Sequence, residues 1–297
     1  MVFPTPIRNV AFPTFSQDDP PVRSLRDSPV HALELVELWH DTLPLTTPSL
    51  SMKLFLLLLF LPILALSENQ LEPLMVQLDE PVLEMTFEKA TDKLDREHFQ
   101  KRQATRWEIA NGVLAGIPSS PEIQAAKSHH RGLEPRLSVP ATPEECAAKF
   151  SIRFLEGEET TIVPFIEFGH HIIRLRFSAS EGVALLADYE SLKVAEDPDF
   201  RYLPGEWIHL FAELKGTEFV IQIQDGPTLY AKHPIISEPA PSGGTGLGVA
   251  GTRGGTVELD DLTIWTVKPD PLPEWTATRA EFPAFEPVQV REKPKKV

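Results

Sequence analysis

The sequence predicts an all-β fold, two antiparallel sheets stacked as a sandwich. Three observations carry this. Alternation of apolar and polar residues with a period of two recurs along the chain, as in "HIIRLRFS", where Ile173, Leu175 and Phe177 point one way and Arg174, Arg176 and Ser178 the other. Tight-turn pairs sit between such runs: Asn111-Gly112, Lys215-Gly216 and Asp225-Gly226. About eleven runs fall between "VLEMTFE" and "VELDDLTIWTV", too many for one open sheet to stay flat.

The chain opens with residues 1–51, whose "FPTFSQDDPPVRSLRDSP" has the composition of unfolded chain. Residues 52–67 follow: Lys53, an unbroken apolar run from Leu54 to Leu66, then Ser67 and the polar Glu68-Asn69-Gln70. That is the layout of a cleavable export signal, too short to serve as a spanning helix of roughly twenty residues. Signal peptides begin at the translated N-terminus, so Met52 reads as the initiator and 1–51 as a leader foreign to the native protein. The competing reading keeps 1–51 as a genuine disordered leader and the apolar run as an internal anchor. Cleavage predicts a secreted or periplasmic protein with no stable membrane span.

Of the 28 basic and 43 acidic side chains that give the chain its net charge of −15, four and six lie in residues 1–67, so the remaining 230 residues carry −13. Such acidity argues against a nucleic-acid partner, since the only basic cluster is the tail "REKPKKV". Cys146 is the sole cysteine, so no intrachain disulfide forms and the core must hold unaided. A chain of this length suffices for one β-sandwich, assigned to residues 68–268.

Within it the inward residues are Phe150, Ile152 and Phe154 of "KFSIRF", Ile208, Leu210, Ala212 and Leu214 of "WIHLFAEL", and Phe219, Ile221 and Ile223 of "EFVIQIQ". Two stretches, 118–146 and 188–206, read as irregular insertions of the kind that carry function or cover an edge. Residues 269–297 read as a tail lying on the surface through Trp275, Phe282 and Phe285, with a disordered end.

An ordered series of phrases, "RWEIANGVLAG", "FSIRF", "GHHIIRLRFSASEGVAL", "LPGEWIHLFAELKGTEFVIQIQDG", "GLGVAG" and "VELDDLTIW", resembles the concanavalin A-like jelly-roll domains of secreted bacterial proteins, especially the 3-keto-disaccharide hydrolase group. The resemblance spans residues 84–267. It implies a jelly-roll sandwich of the lectin/glucanase kind that binds carbohydrate or processes (3-keto-)glycosides. Where that group carries an Asn-Ser-Gly phrase, this chain reads "IVPFIEFGHHIIRLRFS". The alternative function is a noncatalytic, laminin G-like adhesion domain with a protein partner.

Candidate carbohydrate-binding residues fall in two groups. His171, Arg174 and Arg176, beside His170, offer imidazole and guanidinium forks to sugar hydroxyls or an acidic sugar carboxylate, unless the arginines merely pair with surface carboxylates. Trp207, His209 and Glu213 share a strand face with Phe211, an aromatic platform with a polar rim, or simple packing under a loop. Glu167, Glu213, Asp188 and Glu190 are the carboxylates from which a catalytic pair would be drawn, yet no spacing marks one. Asp260 or Asp261 could ligate Ca²⁺ with loop oxygens, or cap a strand edge. "HHRGLE" lacks a third ligand at defined spacing, and "SGGTGLGVAGTRGG" lacks the Gly-Lys-Ser/Thr ending and following helix of a phosphate loop.

Overall fold

The computed structural model describes residues 71–89, 94, 97–127, 132–169, 171–237 and 246–292. The stretches read as leader and export signal, His170, the loop residues 128–131 and the last five residues lie outside them. Among the described residues no helix is long and apolar enough to cross a membrane.

Sixteen strands are present: β1 (Val76–Met85), β2 (Gln100–Arg102), β3 (Arg106–Ala110), β4 (Val113–Ile117), β5 (Arg136–Val139), β6 (Cys146–Phe154), β7 (Phe165–Phe168), β8 (Ile173–Ser178), β9 (Gly182–Ala187), β10 (Leu192–Asp197), β11 (Ile208–Lys215), β12 (Glu218–Ile223), β13 (Thr228–Lys232), β14 (Leu247–Ala250), β15 (Val257–Pro271) and β16 (Val288–Gln289). Two short α-helices join them among the described residues, α1 (Pro121–Ala125) and α2 (Trp275–Glu281). One sheet, sheet A, runs β13-β12-β11-β6-β15-β4-β3 with β1 added against β15; the other, sheet B, runs β16-β10-β9-β8-β7-β14-β5-β2. Every pairing is antiparallel. The two-sheet antiparallel sandwich expected from the alternation, and the jelly-roll kind that the resemblance implies, are the architecture found.

The core lies between the sheets and is built by the residues the period-two pattern assigns inward: Phe150, Ile152 and Phe154 of β6, Ile173, Leu175 and Phe177 of β8, Leu210 and Ala212 of β11, and Phe219 and Ile221 of β12 are all buried in one cluster. Ring contacts bridge the layers, Phe154 with Phe177 at 5.2 Å and Phe168 with Phe219 at 5.4 Å. Cys146 is buried in the same cluster, and burial pushes its thiol up to about 12. The β3–β4 hairpin turns on Asn111 (φ 54°) and Gly112 (φ 77°), as a two-residue loop with positive φ requires. Gly116 has no side chain because Trp107 lies over it: a Cβ there would meet the indole at 2.6 Å.

Three expectations are corrected. The strands exceed eleven because short edge pieces such as β2 and β16, three and two residues long, leave no readable period. The "insertion" 188–206 contains β10, whose alternation is broken by a bulge between Lys193 and Ala195. The stretch 118–146 holds α1, capped by Ser120 with proline in its first turn, and then β5. β15 itself runs to Pro271.

Past β15, α2 packs back onto sheet A. Trp275 is buried with Leu71, Met75, Val76, Phe211 and Val220, and Phe282 stacks on Tyr230 at 5.2 Å. The chain then crosses to pair β16 with β10 at the edge of sheet B.

Candidate functional site

The alternation that fills the core leaves two outer faces, and the predicted site residues divide between them. His171, Arg174 and Arg176 belong to sheet B; Trp207, His209 and Glu213 belong to sheet A. They do not converge.

On sheet A, Glu213 is fully enclosed. Its carboxylate accepts the backbone N–H groups of Leu74 at 3.0 Å, Met75 at 2.7 Å and Val76 at 2.8 Å. Burial raises its carboxyl above the usual range, while the three amides pull it back. The group thus fastens the segment entering β1 rather than facing solvent. Trp207, half-buried, carries the Arg153 guanidinium 4.5 Å from its ring centroid, and Arg153 in turn pairs with Glu258. His209 Nδ1 lies 2.7 Å from Ser151 Oγ.

Asp260 and Asp261 sit where the β15–β6 register shifts, with Asp261 at φ 49° and its N–H donating to Asp260 Oδ1 at 2.9 Å. Among the described residues no group of three or more His, Cys, Asp or Glu side chains is placed to hold a metal.

Sheet B is different. Arg174, only 3% exposed, donates from Nε to Glu167 Oε2 at 2.6 Å and from Nη1 to Glu190 Oε1, and its guanidinium lies 3.8 Å from the Phe165 centroid. Its Nη2 is buried without a hydrogen-bond partner. Glu190 reaches this point because Asp188, Tyr189 and Glu190 all adopt left-handed φ between 53° and 57°, a turn that costs about 1 kcal/mol or more per residue and is offset by charge-assisted bonds. His171 Nδ1 lies 3.0 Å from Glu190 Oε1, its backbone N–H donates to Glu167 Oε2 at 3.3 Å, and its ring stacks on Tyr189 at 4.9 Å. Arg291, following β16, closes the network on Glu190 Oε2. Arg176 pairs with Glu181 at 3.1 Å near the far end of β8.

Beside this network opens a cleft of about 760 Å³, bordered by Phe165, Glu167 and His171 on one side and by Gln100, Arg102, Gln103, Arg136 and Ser138 on the other. Phe165 and Glu167 are outward on β7, Arg136 and Ser138 on β5, and Gln100 and Arg102 on β2. Between Glu167 and Ser138 in the ladder stands Gly248 of β14, where a Cβ would strike the Glu167 side chain at 2.6 Å. The end of α1 supplies Ala126 and Lys127 to the rim. Gln124 pins that helix, donating to Gln103 O at 2.9 Å and accepting from Gly132 N at 2.8 Å.

Of the predicted residues, His171 and Glu167 line the cleft directly, and Arg174 holds Glu167 and Phe165 on the same side of it. Gln100, Arg102, Arg136, Ser138 and Phe165 were not singled out from sequence. "RLSV" alternates as cleanly as any strand, but it is four residues long inside a stretch read as insertion.

Comparison with solved structures finds likeness at the level of fold. The chain is similar to the carbohydrate-binding module CBM66 from Bacillus subtilis (13% identity over 57% of this chain and 96% of that one, TM-score 0.41). It is also similar to a Bacillus subtilis protein with a galectin-like fold (9%, 65% and 99%, TM-score 0.47) and to a β-1,3-1,4-glucanase, a lichenase, derived from a mouse hindgut metagenome (10%, 62% and 97%, TM-score 0.41). No family model matches the chain, and no curated protein matches it.

Proposed function

We propose that this chain is an exported carbohydrate-binding protein whose site is the cleft on the outer face of sheet B. The observation that carries this reading is the cleft's construction. Side chains from three strands, Gln100, Arg136, Ser138 and Glu167 among them, converge as hydrogen-bonding groups around the ring of Phe165 in a space of about 760 Å³. That size lies within the roughly 300–1,000 Å³ of ligand sites, and few but well-held polar groups are what orient a hydroxyl-rich ligand there. The ion-paired network behind Glu167 and His171 holds both rigidly.

Binding fits the cleft better than two-carboxylate hydrolysis. Among the described residues lining it Glu167 is the only carboxylate, whereas the common routes need two carboxyl groups roughly 5–9.5 Å apart across the scissile bond. Hydrolysis of 3-keto-glycosides, the narrower activity the sequence resemblance implies, is tested separately by turnover with and without divalent metal. The apolar run 54–66 supports export.

The test is a thermal-shift and calorimetric screen of the purified protein against oligosaccharides. A ligand at a hundred times its Kd stabilises by about 2.7 kcal/mol, a rise of roughly 5–10 °C for a domain of this size. Gln100→Trp, which places a large ring at the exposed cleft mouth, should abolish the shift, while Trp207→Ala on the opposite sheet should leave it unchanged. The reverse pattern would move the site to sheet A, and no response to any saccharide would overturn the reading.

A further inference from the structure

We infer that the cleft selects anionic saccharides, those bearing carboxylate or sulfate, with Arg102 and Arg136 as the pair that receives the charge. This rests on the carbohydrate reading above. The chain as a whole carries −15, yet among the residues lining the cleft Arg102, Lys127 and Arg136 stand against the single carboxylate of Glu167, while Lys101, out of phase with Arg102 on β2, sends its ammonium to the Trp107 carbonyl. Cations outnumbering carboxylates along this cleft give it a local potential opposite to the net charge of the chain.

The placement of the two arginines is the sharper observation. Arg102 on β2 and Arg136 on β5 are directly opposite each other in the ladder and share its outer face, where like charges repel. Arg136 is compensated by the buried Glu134 at 2.8 Å. Arg102 has no ion pair among the described residues: its Nε donates to Ser138 Oγ at 3.2 Å, which leaves the rest of the fork available.

Glu167 does not quench this charge, because the buried Arg174 already holds it at 2.6 Å and retains an unpartnered Nη2. A guanidinium with free N–H groups, facing a like-charged neighbour, is stabilised by an oxyanion that offers it two acceptor oxygens in bidentate fashion. The size of the cleft admits a short oligosaccharide, and the acidic remainder of the surface disfavours a nucleic-acid polyanion.

The experiment is calorimetric titration of the full chain with trigalacturonate, its fully methyl-esterified form, a sulfated heparin disaccharide and a ten-nucleotide single-stranded DNA. Expected are at least tenfold tighter binding of trigalacturonate or of the sulfated disaccharide than of the ester, and a several-fold loss between 50 and 500 mM salt. Which of the two charged sugars binds identifies the source of the anion. Arg102→Gln should cost about tenfold toward the charged sugar and nothing toward the ester, with an unchanged Tm showing that the fold is intact; Lys101→Gln, whose ammonium lies on the other face of β2, is the control and should change neither affinity, and a loss as large as that of Arg102→Gln would overturn the assignment to Arg102.

Equal affinity for charged and esterified sugar would overturn this inference and leave carbohydrate binding standing. Failure of every saccharide would overturn both. DNA binding tighter than any sugar would replace the saccharide by a nucleic acid.

Discussion

The two outer faces of the sandwich start from the same pattern and end differently. On sheet A, Phe211 and Glu213 project outward, and the chain comes back over them: residues 71–76 donate three amides to Glu213, and Trp275 and Phe282 of the C-terminal segment pack against Val220 and Tyr230. On sheet B, Arg174 and Glu167 also become buried, but what surrounds them is a network of charges beside an open cleft. One face spends its polar residue on fastening the fold, and the other keeps polar residues along the edge of a cleft. An outward residue in a strand is therefore a functional candidate only once the segments that cover its face are known.

The largest expected effect lies on the network side. Arg174→Ala leaves Glu167 and Glu190 facing each other without their shared cation, and removing one partner of a buried ion pair costs about 3–5 kcal/mol. Urea unfolding measures it, and a loss below about 1 kcal/mol would show that the network is not what holds this face.

On the fastened side, Glu213→Gln keeps one acceptor but sets an amide N–H against three backbone N–H groups, for an expected loss of about 2–3 kcal/mol at pH 7. Its pH dependence sharpens the contrast. Because burial holds the folded-state carboxyl above its ordinary value of 4.5, protonation favours the folded state. The stability gap between the native protein and Glu213→Gln should therefore widen as pH falls from 7 through the folded-state value, and level off below the ordinary one. A gap that narrows with acid would mean that the three amides outweigh burial.

Arg291→Ala tests how far the network depends on the C-terminal crossing. Arg291 is 39% exposed, so solvent screens its bond to Glu190 and the cost should stay under about 1 kcal/mol, read as a small fall in Tm. The smallest effect concerns Cys146: the native thiol should resist alkylation at pH 8 and react only in denaturant, since burial disfavours the thiolate.

Much of this division was legible in the residues and part was not. The core was, because Phe150, Ile152 and Phe154, or Ile173, Leu175 and Phe177, announce their shared face by spacing alone. Alternation also put Arg174 and Arg176 together on the outer face, and Trp207, His209 and Glu213 on another. It could not tell that these faces belong to opposite sheets, since sheet membership follows from pairings such as β6 with β15, more than a hundred residues apart.

The partners of Glu213 lie about 138 residues away, and the cleft draws on β2, only three residues long, and on β5 inside a presumed insertion. Arg102 and Arg136 look like ordinary surface charges until the ladder places them opposite each other. Long-range register decides the site, and local spacing carries no record of it.

The most direct test of the account is amide hydrogen exchange with and without trigalacturonate. The account predicts slowed exchange confined to residues 100–104 and 136–138 and to the β7–β8 turn around His171. Protection centred instead on residues 207–213 would contradict it and place the ligand on the other sheet.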